Sequence, residues 1–398
     1  MEHKTRIKGN VHYVGVNDRN KHRFEAMWPL PYGVSYNSYL IDDEMVALVD
    51  TVDICYFEVY LRKIKQVIGE RPINYLIINH MEPDHSGSIR LIKQHYPGII
   101  IVGNKQTFGM IEGFYGVTGE QYLVKEGDFL ALGHHKLRFY MTPMVHWPET
   151  MMTFDETDGV LFSGDGFGCF GTVDGGFLDT RINVDKYWGE MVRYYSNIVG
   201  KYGSPVQKAL QKLGGLPISA ICSTHGPVWT ENIAKVIGIY DRLSRYDADE
   251  GVVIAYGSMY GNTEQMAEAI AEELSAQGVK NIVMHNVTKS HPSYIIADIF
   301  RYKGLIIGSP TYSNQIFPEV EALLSKILLR EVKGRYLGYF GSFTWAGAAV
   351  KRLAEFAEKS KFELVGDPVE MKQAMKDLTY TQCENLARAM ADRLKKDR

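Results

Sequence analysis

Asn79-His80-Met81-Glu82-Pro83-Asp84-His85-Ser86-Gly87 decides how the first half of this chain is read. It follows Tyr75-Leu76-Ile77-Ile78, a short apolar run of the kind that forms a buried strand. His, Glu, Asp and His then fall within six positions. Imidazoles and carboxylates are the donors that borderline and hard divalent cations take. Pro83 cannot continue a ladder, so the segment is expected as a loop. His80 and Glu82 are expected to face one way, with Asp84 and His85 turned toward a second ion. Ser86-Gly87-Ser88 punctuates the loop before a helix that starts near Ile89.

A pair of metals needs further ligands, and they stand at three more strand ends. His146 lies in Pro143-Met144-Val145-His146-Trp147, Asp165 in Phe162-Ser163-Gly164-Asp165-Gly166, and His225 in Ile221-Cys222-Ser223-Thr224-His225-Gly226. The candidate ligand set is therefore His80, Glu82, Asp84, His85, His146, Asp165 and His225. The remaining histidines (His3, His12, His22, His95, His134, His135, His285 and His291) read as ordinary surface or core residues. Cys169 and Cys222 read as small buried side chains.

The second half changes pattern. Strands are expected at 252–257, 281–287, 304–308, 336–341 and 362–366, and helices near 263–276, 316–329, 346–359 and 378–395. Five strands alternating with helices imply a doubly wound parallel sheet; in the expected order 2-1-3-4-5 the crevice lies at the carboxyl ends of strands one and three. Gly257-Ser258-Met259-Tyr260-Gly261-Asn262-Thr263 joins the first strand to a helix. Hydroxyls and N–H groups at a helix N-terminus can wrap a phosphate. The loop lacks the lysine of a nucleoside triphosphate site and the glycine spacing of a dinucleotide site, which suits a monoester phosphate such as that of FMN. Strand three ends in Gly308-Ser309-Pro310-Thr311-Tyr312-Ser313-Asn314, strand four in Gly341-Ser342-Phe343-Thr344-Trp345-Ala346-Gly347. Both offer small polar residues and an aromatic for a flat ring. The candidate flavin residues are Ser258, Met259, Tyr260, Gly261, Asn262, Thr263, Pro310, Thr311, Tyr312, Asn314, Ser342, Phe343, Thr344, Trp345 and Gly347. Core packing is the other role open to Trp345.

The first half reads as β-rich over 10–51, with a hairpin turn at Asp42-Asp43-Glu44 and an aromatic, proline-rich loop over Phe24–Pro31. That loop either packs or covers a site mouth. Phe57, Tyr60, Leu61, Ile64, Val67 and Ile68 mark one face of a helix. Strands are expected near 121–125, 137–142, 149–154, 159–163 and 218–222, and helices near 184–198 and 231–245. The alternation suggests two sheets between helices, an αββα layering. The charged stretch Tyr246–Gly251 is the expected boundary, giving domains at 1–248 and 251–398.

The chain has 398 residues, a formal charge of −3 and a sequence pI near 6.5. That balance gives no electrostatic case for nucleic acid. The charged start lacks an apolar core for a signal peptide, and no run is long enough for a transmembrane helix. The four cysteines form no C-x-x-C pair, against disulfides and cysteine-based iron sites. A cytoplasmic location is expected.

The order His-x-Glu-x-Asp-His, then His, Asp and His, resembles the metallo-β-lactamase-like fold in its flavodiiron variant. Hydrolases of that fold carry His where this chain has Glu82. A carboxylate there hardens the site and favours a pair of irons over zinc. The second half resembles flavodoxin in all three of its flavin loops. Taken whole, the chain resembles a minimal flavodiiron protein, or A-type flavoprotein, without an appended rubredoxin or flavin-reductase module. The resemblance implies reduction of O2 to water, of NO to N2O, or of both, protecting an anaerobe. It implies one iron on His80, Glu82 and His146, the other on Asp84, His85 and His225, and Asp165 between them. In some relatives the equivalent of His85 is turned away. The resemblance also implies a head-to-tail dimer, or a dimer of dimers, and a donor such as rubredoxin or reduced coenzyme F420. The alternative is a zinc hydrolase of the same fold with a fused flavodoxin module.

Overall fold

The computed structural model describes residues 4–397, so His3 lies outside the described residues. The chain divides into two compact units. One runs to Tyr195 and resumes over Tyr202–Ser244; the other takes Ser196–Lys201 and the described chain from Arg245 onward.

The first unit holds two facing sheets. One has seven strands in the order Arg6–Lys8, Val11–Tyr13, Tyr39–Ile41, Ala47–Val49, Tyr75–Ile77, Ile100–Gly103 and Gln121–Leu123. The other has five, in the order Phe129–Ala131, Lys136–Met141, Met151–Asp155, Val160–Gly164 and Ala220–Ser223. Side chains from both sheets, among them Tyr39, Val49, Ile77, Phe139, Phe162 and Cys222, form one continuous apolar core. Burial of such a layer is the main stabilising term. The helix Phe57–Ile68 buries the face carrying Phe57, Tyr60, Leu61, Ile64 and Ile68, as its periodicity predicts.

The second unit is a parallel sheet in the order Ile282–Asn286, Asp249–Tyr256, Tyr302–Tyr312, Tyr336–Phe343 and Glu363–Leu364, which is 2-1-3-4-5. The helices Asn262–Ala276 and Asp377–Lys395 bury Met266, Ile270, Leu274, Leu386 and Met390 in its core. Such a sheet leaves a crevice at the carboxyl ends of its first and third strands.

Five local features depart from the sequence reading. The stretch after Glu82 is not a loop: Pro83–Ser86 is a single helical turn with the proline at its first position. A proline is tolerated there because its missing N–H has no intrahelical partner to lose. The third strand of the second unit runs on through Tyr312 and turns back at Gln315–Ile316, so much of the second flavin loop is ladder. The fifth strand splits into Glu363–Leu364 and Val369–Lys372. Helices Lys105–Tyr115, Gly203–Leu213 and Pro292–Arg301 lie outside the sequence reading. The expected helix near 184–198 ends at Tyr194 and continues as a wider π-type turn over Tyr195–Val199.

Candidate metal centre and flavin cleft

Four strand ends of the first unit bring all seven candidate ligands to one buried place. His80 and Glu82 follow Tyr75–Ile77, and the single turn Pro83–Ser86 carries Asp84 and His85. Their base is braced from behind. Asn79 donates from its backbone N to Asp50 Oδ1 at 2.8 Å and from Nδ2 to Asp50 Oδ2 at 3.1 Å. Its Oδ1 accepts from the Thr153 hydroxyl at 2.8 Å, which ties the two sheets beneath the ligands. Behind His225, Asn37 Nδ2 donates to Ser223 O and Gly226 O. Gly226 has φ +81, and a Cβ there would stand 2.2 Å from Cys169 Sγ, so only glycine fits the turn.

His146 Nε2 lies 3.1 Å from Asp165 Oδ2, 3.2 Å from Glu82 Oε2 and 3.4 Å from His80 Nε2. On the other side His225 Nε2 lies 3.3 Å from Asp84 Oδ2, and His85 Nε2 lies 3.2 Å from Asp165 Oδ1. Asp165 thus turns one oxygen to each half. The ligand atoms fall into two overlapping groups, His80, Glu82, His85 and Asp165 in one and Asp84, His85 and His225 in the other. His85 belongs to both, with its ring 4.9 Å from that of His80; it is not turned away.

The tautomers are set from outside. His225 donates from Nδ1 to Ser35 O at 2.7 Å, and His80 donates from Nδ1 to Glu149 Oε1 at 2.7 Å. Each Nε2 is left facing inward. Both oxygens of Asp84, both ring nitrogens of His85 and Nε2 of His225 are buried with no hydrogen-bond partner. Buried polar atoms without partners are costly. This donor set is explained by a cation, and the residues fit a pair of metals.

Electrostatics point the same way. Burial pulls the His80 imidazole down, but Glu149 and Glu82 outweigh it and hold its pKa up at about 9. His85 is pushed to about 9 by Asp84 and Asp165, and His146 to about 10 by Asp165 and Glu82, in each case against burial. Burial favours a neutral Asp165 carboxyl, yet His85 and His146 hold it well below the usual range. The pocket therefore collects positive charge, and metal binding displaces those protons.

A cavity of about 430 Å³ opens beside Glu82 and Asp84, walled by Lys21, Phe24, Glu25, Asp53, Ile54 and Phe114. The aromatic loop supplies both readings given to it: Trp28 is buried, while Phe24 lines the cavity with its ring centre 5.3 Å from that of His225, the two rings perpendicular. Sequence reasoning missed Glu149 and Tyr194. The Tyr194 hydroxyl is buried without a partner, its ring 5.8 Å from that of His225. Burial raises its pKa strongly, with Asp165 and Glu82 adding to the shift. A helical tyrosine carries no mark of this in sequence.

In the second unit the three loops line a cleft of about 360 Å³. All the expected residues line it except Gly261 and Gly347, and Ser313, Ala346 and Gln373 join them. Gly261, at φ +89, opens the helix Asn262–Ala276, and the Ser258 hydroxyl accepts from Gly261 N at 3.2 Å and from Glu264 N at 3.4 Å. Gly347 packs on Glu370, whose Oε1 would stand 2.5 Å from a Cβ. Hydroxyls tie the loops together. Thr263 and Ser342 share a hydrogen bond of 2.8 Å, and Thr311 accepts from the N–H groups of Ala348 and Ala349. Tyr260 and Trp345 stand 91% and 79% exposed at the rim. Trp345 is therefore not core. A helix start opened by a glycine, with exposed flat side chains beside it, fits a phosphate joined to a planar ring.

Among the described residues no helix is long and apolar enough to cross a membrane. Residues 34–226 match the family described as ODP family beta lactamase, and residues 254–385 match flavodoxin. The anaerobic nitric oxide reductase flavorubredoxin of Vibrio vulnificus is 32% identical over 363 residues, covering 90% of this chain and 73% of that protein. The rubredoxin oxygen:oxidoreductase of Desulfovibrio gigas superposes with a TM-score of 0.93 at 31% identity, over 97% of each chain. The flavodiiron protein of Giardia intestinalis does so with 0.91 at 26% identity, over 98% of this chain and 97% of that one. With the αββα sandwich, the seven converging donors and the 2-1-3-4-5 sheet, these likenesses place the chain in the flavodiiron protein family, as an oxidoreductase.

Proposed function

We propose that this chain reduces O2 to water, NO to N2O, or both, with electrons from an external donor. The observation that carries the reading is the convergence of four imidazoles and three carboxylates, with both oxygens of Asp84, both ring nitrogens of His85 and Nε2 of His225 buried without a partner. His80, Glu82 and His146 would hold one iron, Asp84, His85 and His225 the other, with Asp165 shared. The second unit would hold FMN, its phosphate at Ser258–Thr263 and its ring between Tyr312 and Trp345. When bound, the irons supply electrons and Lewis acidity at adjacent positions, and the flavin passes electrons singly.

The chain's own residues orient and enclose. Glu149 and Ser35 O fix two imidazoles with Nε2 inward. Phe24 keeps an apolar ring over His225, and the cavity beside Glu82 is roomy enough for a diatomic gas. A head-to-tail dimer, with the flavin of one copy at the irons of the other, completes the reading. Exposed Ile54 and Phe114 beside the metal cavity and Tyr260 and Trp345 at the cleft rim support it, since exposed apolar faces mark interaction sites.

The test is direct. The purified protein is assayed for iron and FMN, reduced anaerobically with rubredoxin, reduced F420 or NADH, and exposed to each gas. Rapid consumption of O2 or NO without released peroxide is expected. Stoichiometric zinc, or reoxidation that releases peroxide, would sink the reading.

A further inference from the structure

Glu149 is fully buried, three residues beyond His146 in the same loop. Its Oε1 accepts twice: from His80 Nδ1 at 2.7 Å and from the Met81 backbone N at 2.9 Å. Its main chain is held as well, because Asn104 Nδ2 donates to Glu149 O at 2.5 Å. Asn104 is itself fixed, since its Oδ1 caps the helix Lys105–Tyr115 through Gln106 N and Thr107 N. A rigid helix start, a buried carboxylate and a ligand imidazole thus form one line of contacts.

A ligating imidazole must present one bare nitrogen. The other then carries the proton and needs a fixed acceptor, or ring and tautomer drift. His85 shows the contrast: neither of its nitrogens has a hydrogen-bond partner. We propose that Glu149 is a positioning residue that clasps the His80 loop to the His146 loop and holds His80 with Nε2 toward its metal. This rests on the diiron reading above. The clasp joins only the half of the site that contains His80 and His146. On the other half His225 takes its acceptor from Ser35 O, a backbone atom that no substitution removes.

The consequence is asymmetric. Loss of the Glu149 side chain weakens one iron and spares the other. The test is chelator competition on the iron-loaded full-length protein, comparing wild type with Glu149→Gln and Glu149→Ala. It is read together with the EPR signal of the half-reduced centre and with circular dichroism. In Glu149→Ala one iron is expected to leave about 10–100-fold more readily, the range typical of outer-shell partners, while the second iron holds. Glu149→Gln keeps an acceptor oxygen and is expected to recover part of the loss, with a shifted EPR signal. If Glu149→Ala does not fold, Glu149→Gln alone carries the test. Equal weakening of both irons, or unchanged release and an unchanged EPR signal in a folded variant, would overturn the proposal. A wild-type protein that binds no iron would overturn the diiron reading itself, and the proposal with it.

Discussion

Asp165 and His85 face each other in the middle of the metal site, Oδ1 of one lying 3.2 Å from Nε2 of the other. The second oxygen of Asp165 lies 3.1 Å from His146 Nε2. One side chain therefore serves both halves. Asp165→Asn removes the charge that both irons would share under the proposed assignment and is expected to leave the protein with less than half of the wild-type iron. His85→Ala is expected to loosen the iron that Asp84 and His225 would hold more than its neighbour. Iron content after gel filtration decides; full iron in Asp165→Asn would remove this residue from its shared position.

The flavin cleft gives a prediction that needs no turnover. Trp345 is a large, exposed ring at the rim. Aromatic stacking is worth about 0.5–1.5 kcal/mol beyond area. Trp345→Ala is expected to weaken FMN binding by about 2–12-fold on that figure. Quenching of flavin fluorescence on reconstitution measures it. Unchanged affinity would move the ring away from Trp345.

The proposed head-to-tail dimer predicts complementation. His146→Ala should impair the irons, and Ser258→Asp should repel the phosphate of FMN. Each variant alone is expected to be nearly inactive. Co-refolded mixtures should regain about a quarter of wild-type turnover, because half of random dimers pair one intact flavin with one intact iron site. No recovery from dimers shown to be mixed would falsify electron transfer between subunits.

His135 gives a pH dependence away from the metals. Its Nδ1 lies 2.9 Å from Asp155 Oδ2, both residues buried. Burial lowers its pKa, but Asp155, aided by Asp158 and Asp43, raises it above the ordinary value. A raised folded pKa means the charged form stabilises the fold. That stabilisation is fully present below the unfolded value of about 6.5 and is lost as pH rises through the folded value. His135→Gln is therefore expected to be destabilised by about 1–3 kcal/mol in acid, with the gap narrowing as pH rises above neutrality. Urea melts at several pH values measure it, and a gap that widens with pH would contradict the pairing.

Much of both sites was legible because their chemistry sits at strand ends, where an apolar run stops and a polar cluster begins. His80, Asp165 and His225 are marked in this way, and so are the three flavin loops. Other features carried no such mark. Pro83 reads as a breaker, yet it opens the turn that aims Asp84 and His85. Glu149 is one acid among many until the fold brings it to His80, 69 residues away in sequence. Gln373 reaches the cleft only because the last strand breaks and restarts, leaving it at φ +68. Pro292–Arg301 is short and begins with a proline, which looks like a turn when tertiary packing is hidden.

The brace of Asp50, Asn79 and Thr153 lies outside the ligand set, and its contacts are complete within the protein. Chelation is therefore expected to empty the site while the seat beneath the ligands keeps its hydrogen bonds, so that refilling needs no rebuilding of the sheets.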